Sequence, residues 1–215
     1  MNEYKLSLTN ITKTFGRRLI FKEINKHFLS GNLYGFSGSN GSGKSTLIKI
    51  IAGIISATKG KVSHSINSKE IVPEKLHNHI GFVSPYLVLY DEFTAYENLK
   101  HFSKIRGIKF NSERADFLLS QIELYDRKDD LLKGFSSGMK QRMKFIFSLL
   151  HNPKLLLLDE PTSNLDAEGK DKIYEIIKNE SEEKLIIIAS NEQSDLKLCS
   201  DILDIEYFKI KAVPS

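Results

Sequence analysis

Apolar residues alternate with polar ones at the start of the chain. Tyr4, Leu6 and Leu8, then Ile20, Ile24 and Phe28, stand among polar neighbours, a pattern that predicts strands of a half-buried sheet. Leu33 to Phe36 forms a short apolar strand leading into glycine-rich residues 38–45, and Thr46 to Ile55 carries helical spacing, so the expected order is strand, loop, helix. Residues Lys61 to Val83 read as further short strands, and Thr94 to Leu124 as helices interrupted near Gly107. From Met139 a helix is expected with Met143, Ile146, Phe147 and Leu150 at helical spacing, until Pro153 stops it. The unbroken run Leu155 to Leu158 predicts a buried strand. A helix around Lys170 to Lys178 and the apolar strand Leu185 to Ala189 then complete a βαβ series. The expectation is an α/β fold with a parallel sheet, a β-rich part at the N-terminal side and a helical insertion over about residues 85–150.

Composition narrows the reading. With 215 residues, 40% of them hydrophobic and 27% charged, the chain can bury the core of one large domain. Its 31 basic and 27 acidic residues give a net charge of +4, too mild and dispersed to argue for nucleic acid, and none is expected as a partner. The single cysteine, Cys199, has no second thiol for a disulfide or a metal site; it suits a reducing compartment and reads as a small core hydrophobe. Met1 to Lys13 shows no secretory signal pattern, so a cytoplasmic location is expected. The most apolar stretches, Leu47 to Ile55 and Leu155 to Leu158, fall short of the roughly 20 residues that cross a bilayer, which excludes a membrane channel.

Two motifs carry chemistry. Gly38, Ser39, Asn40, Gly41, Ser42, Gly43, Lys44 and Ser45 fit the Walker A pattern G-x-x-x-x-G-K-[ST], between a predicted strand and a predicted helix as the motif requires. Glycines let the backbone curl so that successive N–H groups point at phosphates, Lys44 can reach the β and γ oxygens, and the Ser45 hydroxyl is offered to Mg²⁺; Thr46 follows on the helix. The second motif, Asp159-Glu160 after Leu155 to Leu158, sets two carboxylates at the C-terminal edge of a buried strand, where ligands of open α/β sheets collect. In this Walker B arrangement Asp159 would hold Mg²⁺, and Glu160 could orient and deprotonate the water that attacks the γ-phosphate of ATP. An isolated Asp-Glu pair would be better read as a solvated strand end, but pairing with a Walker A loop favours the catalytic reading.

Residues 135–142, Phe-Ser-Ser-Gly-Met-Lys-Gln-Arg, resemble the signature motif of ABC-type ATPases, placed as in that family shortly before Walker B. Residues 161–166 look like its D-loop, and Tyr90 to Leu99 is similar to the stretch after its Q-loop. The resemblance extends over the whole chain. It implies a P-loop NTPase core, with an antiparallel β subdomain, spanning residues 1–215 as one ATP-binding domain. Phe15 falls where the family stacks an aromatic on adenine, although a core position is the alternative. Ser136 and Ser137 can cap the helix starting near Met139; beyond a plain cap, the resemblance implies that Ser136 and Gly138 contact the γ-phosphate bound to another subunit. Two ATP molecules would then be buried in a homodimer, or in a heterodimer with a related ATPase subunit. Asp166 would lie at the same interface, or simply start the following helix.

Two positions depart from the family. Pro85 stands where the Q-loop glutamine is usual, and Asn191 where a switch histidine is usual. Both changes bear on hydrolysis rather than on ATP or Mg²⁺ binding, and Asn191 is assigned to catalysis with Lys44 and Glu160. The leading expectation is the ATPase subunit of a transporter, peripheral on the inner face of the membrane through a separate integral membrane subunit. The small ATPases of haem export and cytochrome c maturation are the sub-family it looks most like. The alternatives are an ABC ATPase acting on a cytosolic assembly, and an ATP-binding dimerisation module with little hydrolysis.

Overall fold

The two-residue period of the N-terminal segment becomes a long hairpin in the computed structural model, which describes residues 3–209. Strand β1 (Tyr4–Phe15) pairs antiparallel with β2 (Arg18–Leu29) and with β4 (Lys59–Ile66), and the two-residue strand β5 (Lys69–Glu70) closes a sheet of order β2-β1-β4-β5. Tyr4, Leu6, Leu8, Phe21, Ile24 and Phe28 face inward and are almost wholly buried.

A second sheet is parallel, in the order β6-β7-β8-β3-β9. It contains β3 (Asn32–Ser37), β6 (Ile80–Val83), β7 (Leu155–Asp159), β8 (Leu185–Ala189) and β9 (Asp201–Asp204). Every residue of β7 and β8 is buried, because each strand has neighbours on both edges and is covered on both faces. Alternation decides which face each side chain meets. Leu155, Leu157, Leu185 and Ile187 pack with the antiparallel sheet and with Leu47, Ile48 and Ile51 of α1 (Lys44–Ile51). Leu156, Leu158, Ile186 and Ile188 pack instead with α3 (Ala95–Ile105), α4 (Ser112–Gln121), α5 (Ser137–Leu149) and α6 (Ala167–Ser181). The apolar run is continuous in sequence because it serves two cores.

Helix starts follow their caps. Thr94 and Glu97 form a reciprocal capping box on α3, and Asn111 caps α4 by accepting from Arg114 N–H. Gly107, left-handed at φ 69°, turns the chain between them.

The structure departs from the expected pattern of elements in three places. Within Lys61 to Val83 the expected short strands form as β4, β5 and β6, but Pro73 opens a short helix between them, α2 (Pro73–Leu76), because its missing N–H is harmless at a first helical position. The helix expected from Met139 begins at Ser137, so Ser136 alone caps it. Beyond Ala189 the chain adds α7 (Gln193–Leu196), β9 and a 3₁₀ turn (Ile205–Phe208), none of which the hydrophobic pattern announces. Cys199 is half-buried against the helical-side core, and burial pushes its thiol up to about 12, as fits a packing role.

Candidate functional site

Parallel register brings the site together. Phe36 of β3 and Asp159 of β7 both lie opposite Ala189 of β8, so the three strands end side by side. The segments that follow them, residues 38–43, Glu160 and Asn191, therefore emerge at one edge, the place where open α/β sheets bind ligands.

The phosphate loop closes on itself. Gly43 has φ 113°, and a Cβ there would lie 2.6 Å from Cγ2 of Ile20, so the close passage of β2 demands glycine. Gly43 also precedes α1 without any side-chain cap, leaving N–H groups of the first turn to bind an anion. Lys44 is buried, and its ammonium donates to the carbonyls of Gly38 at 2.7 Å and Ser39 at 3.3 Å. Ser42 Oγ is buried with no hydrogen-bond partner among the described residues, an orphaned polar atom inside the loop that fits an anionic guest.

The acidic pair meets the same loop. Asp159 is 1% exposed and accepts from the Ser45 hydroxyl at 2.8 Å, so the two oxygens assigned to a metal are already adjacent. Burial raises the Asp159 pKa, while the Ser45 hydrogen bond and the Lys49 and Lys44 cations oppose the rise. Glu160 follows in a left-handed conformation, φ 50°, with its N–H donated to the Ala189 carbonyl at 2.9 Å. Its pKa is also raised, first by burial, then with Asp159, Asp195 and Glu192 adding to the effect and Lys44 opposing it. A carboxylate made more basic in this way is better suited to take a proton from water. Among the described residues no three His, Cys, Asp or Glu side chains are placed together to hold a metal ion. A metal here would therefore lean on Ser45, Asp159, phosphate oxygens and water, the usual habit of Mg²⁺.

A cavity of about 320 Å³ lies over the loop, lined by Phe15, Arg18 and Ile20 on one side, residues 40–46 on another, and Glu160. Phe15 is 51% exposed rather than core, with the Lys13 ammonium 4.6 Å from its ring centre. Arg18 was not among the expected site residues. It pairs across the hairpin with Phe15, next to the Gly16-Arg17 turn, and that two-residue turn is the sequence signal that would have placed it.

The remaining expected residues lie elsewhere. Ser136 caps α5 by accepting from Met139 N–H at 3.2 Å, and a Cβ on Gly138 would stand 3.3 Å from the Asn164 carbonyl oxygen. Asp166 caps α6 through Gly169 N–H at 2.9 Å. Ser136, Gly138 and Asp166 do not line the cavity over the phosphate loop. Gln141 donates to the Pro161 carbonyl at 2.9 Å and ties α5 to the segment after Glu160. Asn191 reaches the loop itself, donating from Nδ2 to Asn40 Oδ1 at 2.9 Å. The carbonyl of Pro85 accepts from Lys144 at 2.9 Å.

Residues 21–163 match a family model described as ABC transporter. The chain is 34% identical over 215 residues to an uncharacterised ABC transporter ATP-binding protein, YdbJ of Bacillus subtilis, covering 99% of this chain and 70% of that one. It is 34% identical over 203 residues to the lantibiotic transport ATP-binding protein SrtF of Streptococcus pyogenes, covering 94% and 86%. The dimeric structure of MJ0796, a bacterial ABC transporter cassette, superposes with a TM-score of 0.79 at 26% identity, covering 93% of this chain and 94% of that one.

Proposed function

The chain belongs to the ABC transporter family of ATP-binding domains and is an ATPase, and from that premise we propose that two cassettes close around Mg-ATP to drive a separate membrane-spanning partner. One observation carries the reading: the Lys44 loop, the Ser45–Asp159 pair and Glu160 share one site, while Ser136 and Gly138 lie outside its cavity. The signature residues of one copy are thus available to the nucleotide of another.

In this proposal the residues 1–215 act as one ATP-binding domain with a helical subdomain over about 85–150. Adenine stacks on the exposed face of Phe15. Gly38 to Thr46 wrap the phosphates, and Lys44 leaves the Gly38 and Ser39 carbonyls to hold the β and γ oxygens. Ser45 and Asp159 would hold Mg²⁺, which would neutralise charge on the β- and γ-phosphates. Glu160 accepts a proton from water as the water oxygen bonds to the γ-phosphorus, and the bond to the bridging oxygen breaks, leaving ADP and phosphate. Ser136 and Gly138 of a second copy approach the γ-phosphate, with Asp166 near the same interface. Asn191 acts on this centre through Asn40.

The partner reading rests on surface chemistry. No helix among the described residues is long and apolar enough to cross a membrane. Tyr86, Val88 and Tyr90, in the stretch 85–99, are 76%, 81% and 58% exposed, a concentration of bare apolar side chains that fits a docking surface. Transport by SrtF supports a membrane partner for this chain too. Affinity capture of the tagged chain from detergent-solubilised membranes should recover a multi-span protein, and Val88→Glu should release it. Recovery of soluble proteins alone would overturn the transporter reading in favour of a cytosolic assembly.

A further inference from the structure

Sheet register brings one more side chain onto the phosphate loop. β9 runs parallel to β3 with Asp204 opposite Ser37, so the 3₁₀ turn after β9 stands beside the loop after β3. From that turn Glu206 Oε1 accepts two protons from one loop residue: the Ser39 backbone N–H at 3.2 Å and its hydroxyl at 2.6 Å. Lys44 holds the opposite side of the same residue through its carbonyl. For Lys44 to reach a phosphate it must release that carbonyl, and Ser39 is then held by Glu206 on one side and by the Ser42 N–H, which donates to its carbonyl at 3.0 Å, on the other.

We propose that Glu206 is a positioning residue for the nucleotide, fixing the entrance of the phosphate loop so that the turn Ile205–Phe208 sets nucleotide affinity. The inference rests on the ATP-binding site proposed above. Glu206 is itself anchored: its N–H donates to Asp204 Oδ1 at 2.9 Å, and Lys209 pairs with Oε2 at 2.8 Å. Lys209, together with Ser39, holds the carboxyl down at about 2, so it is ionised wherever the ATPase works. Because Lys209 offsets that charge locally, geometry rather than repulsion of phosphate is the expected effect. Preorganising a loop raises affinity by reducing the ordering that binding must impose.

The test uses the full chain, with Glu206→Ala, Glu206→Gln, Ser39→Ala and Lys44→Ala compared by calorimetry with Mg-ATP and Mg-ADP, by ATPase kinetics and by thermal midpoint. Glu206→Ala is expected to weaken both nucleotides by about three- to tenfold and to raise KM by the same factor, with kcat within about twofold. Glu206→Gln should restore affinity, since its amide oxygen can accept the same two protons. Ser39→Ala, which removes only the hydroxyl donor, should cost about two- to threefold. Unchanged or tighter binding in Glu206→Ala overturns the inference, as does an equal loss in Glu206→Gln. If Glu206→Ala fails to fold, unchanged affinity in Ser39→Ala overturns it. If the natural protein binds no ATP, or Lys44→Ala binds as well as it, the proposed site itself fails; normal behaviour of those two with a silent Glu206→Ala defeats only this inference.

Discussion

Asn191 stands where a histidine is usual in the family, and the hydrogen bond it makes sets what its loss should cost. Asn191→Ala deletes a neutral donor that lies 2.9 Å from Asn40 Oδ1. Both side chains are exposed, so water can replace the lost partner, and the cost belongs at the lower end of the range of about 0.5–1.5 kcal/mol for a neutral hydrogen bond. That converts to a fall in kcat of about two- to fivefold. A direct bond to the γ-phosphate would be charge-assisted and would cost tenfold or more. Steady-state ATPase assays at saturating Mg-ATP on Asn191→Ala, Asn40→Ala and the double variant separate these routes. If Asn191 acts through Asn40, Asn191→Ala changes nothing once Asn40→Ala is made; if it acts on phosphate, the two effects multiply. Asn191→His should retain activity through an imidazole N–H. Wild-type turnover in Asn191→Ala, or full additivity in the double variant, would mean that Asn191 does not act through Asn40.

Lys44→Ala removes the buried ammonium of the loop, and its affinity for Mg-ATP should fall at least about tenfold by calorimetry. Stability should also weaken in acid. Burial lowers both His64 and His151 to about 4 from an ordinary 6.5, so the unfolded chain binds protons first. Their contribution is intact above about pH 6.5 and is lost as pH falls toward 4, on the order of 3 kcal/mol at the limit for the buried His64 and less for the part-buried His151, which water screens. Urea midpoints should hold between pH 7.5 and about 6.5 and fall from there to pH 4.5, and His64→Gln with His151→Gln should flatten the fall.

Much of the site was legible because its residues are adjacent in sequence. Gly38 to Ser45 forms one continuous loop, and Asp159-Glu160 ends one strand, so spacing alone could pair them with phosphate and metal. The strands were legible where period and burial agree, as in β1 and in Leu155 to Leu158. β9 was not, since a four-residue edge strand with aspartate at both ends carries no hydrophobic period. Glu206 and Arg18 escaped for a related reason: each reaches the site through strand register and not through a motif. The left-handed backbone of Glu160 was equally hidden, because nothing in a carboxylate's identity announces a positive φ. Ser136 is legible as a helix cap because a serine two residues before a glycine at a helix start has a local partner, the Met139 N–H.

If two copies share nucleotide, arresting hydrolysis should trap them as a pair. Glu160→Gln keeps the shape of the side chain and removes its basicity, so ATP bound at the interface should persist. Size-exclusion chromatography with light scattering, run in Mg-ATP, should show Glu160→Gln as a dimer and the same protein without nucleotide as a monomer. Adding Ser136→Arg should return it to monomer while calorimetry still detects ATP on each chain. A Glu160→Gln protein that binds Mg-ATP yet elutes only as a monomer would contradict the account.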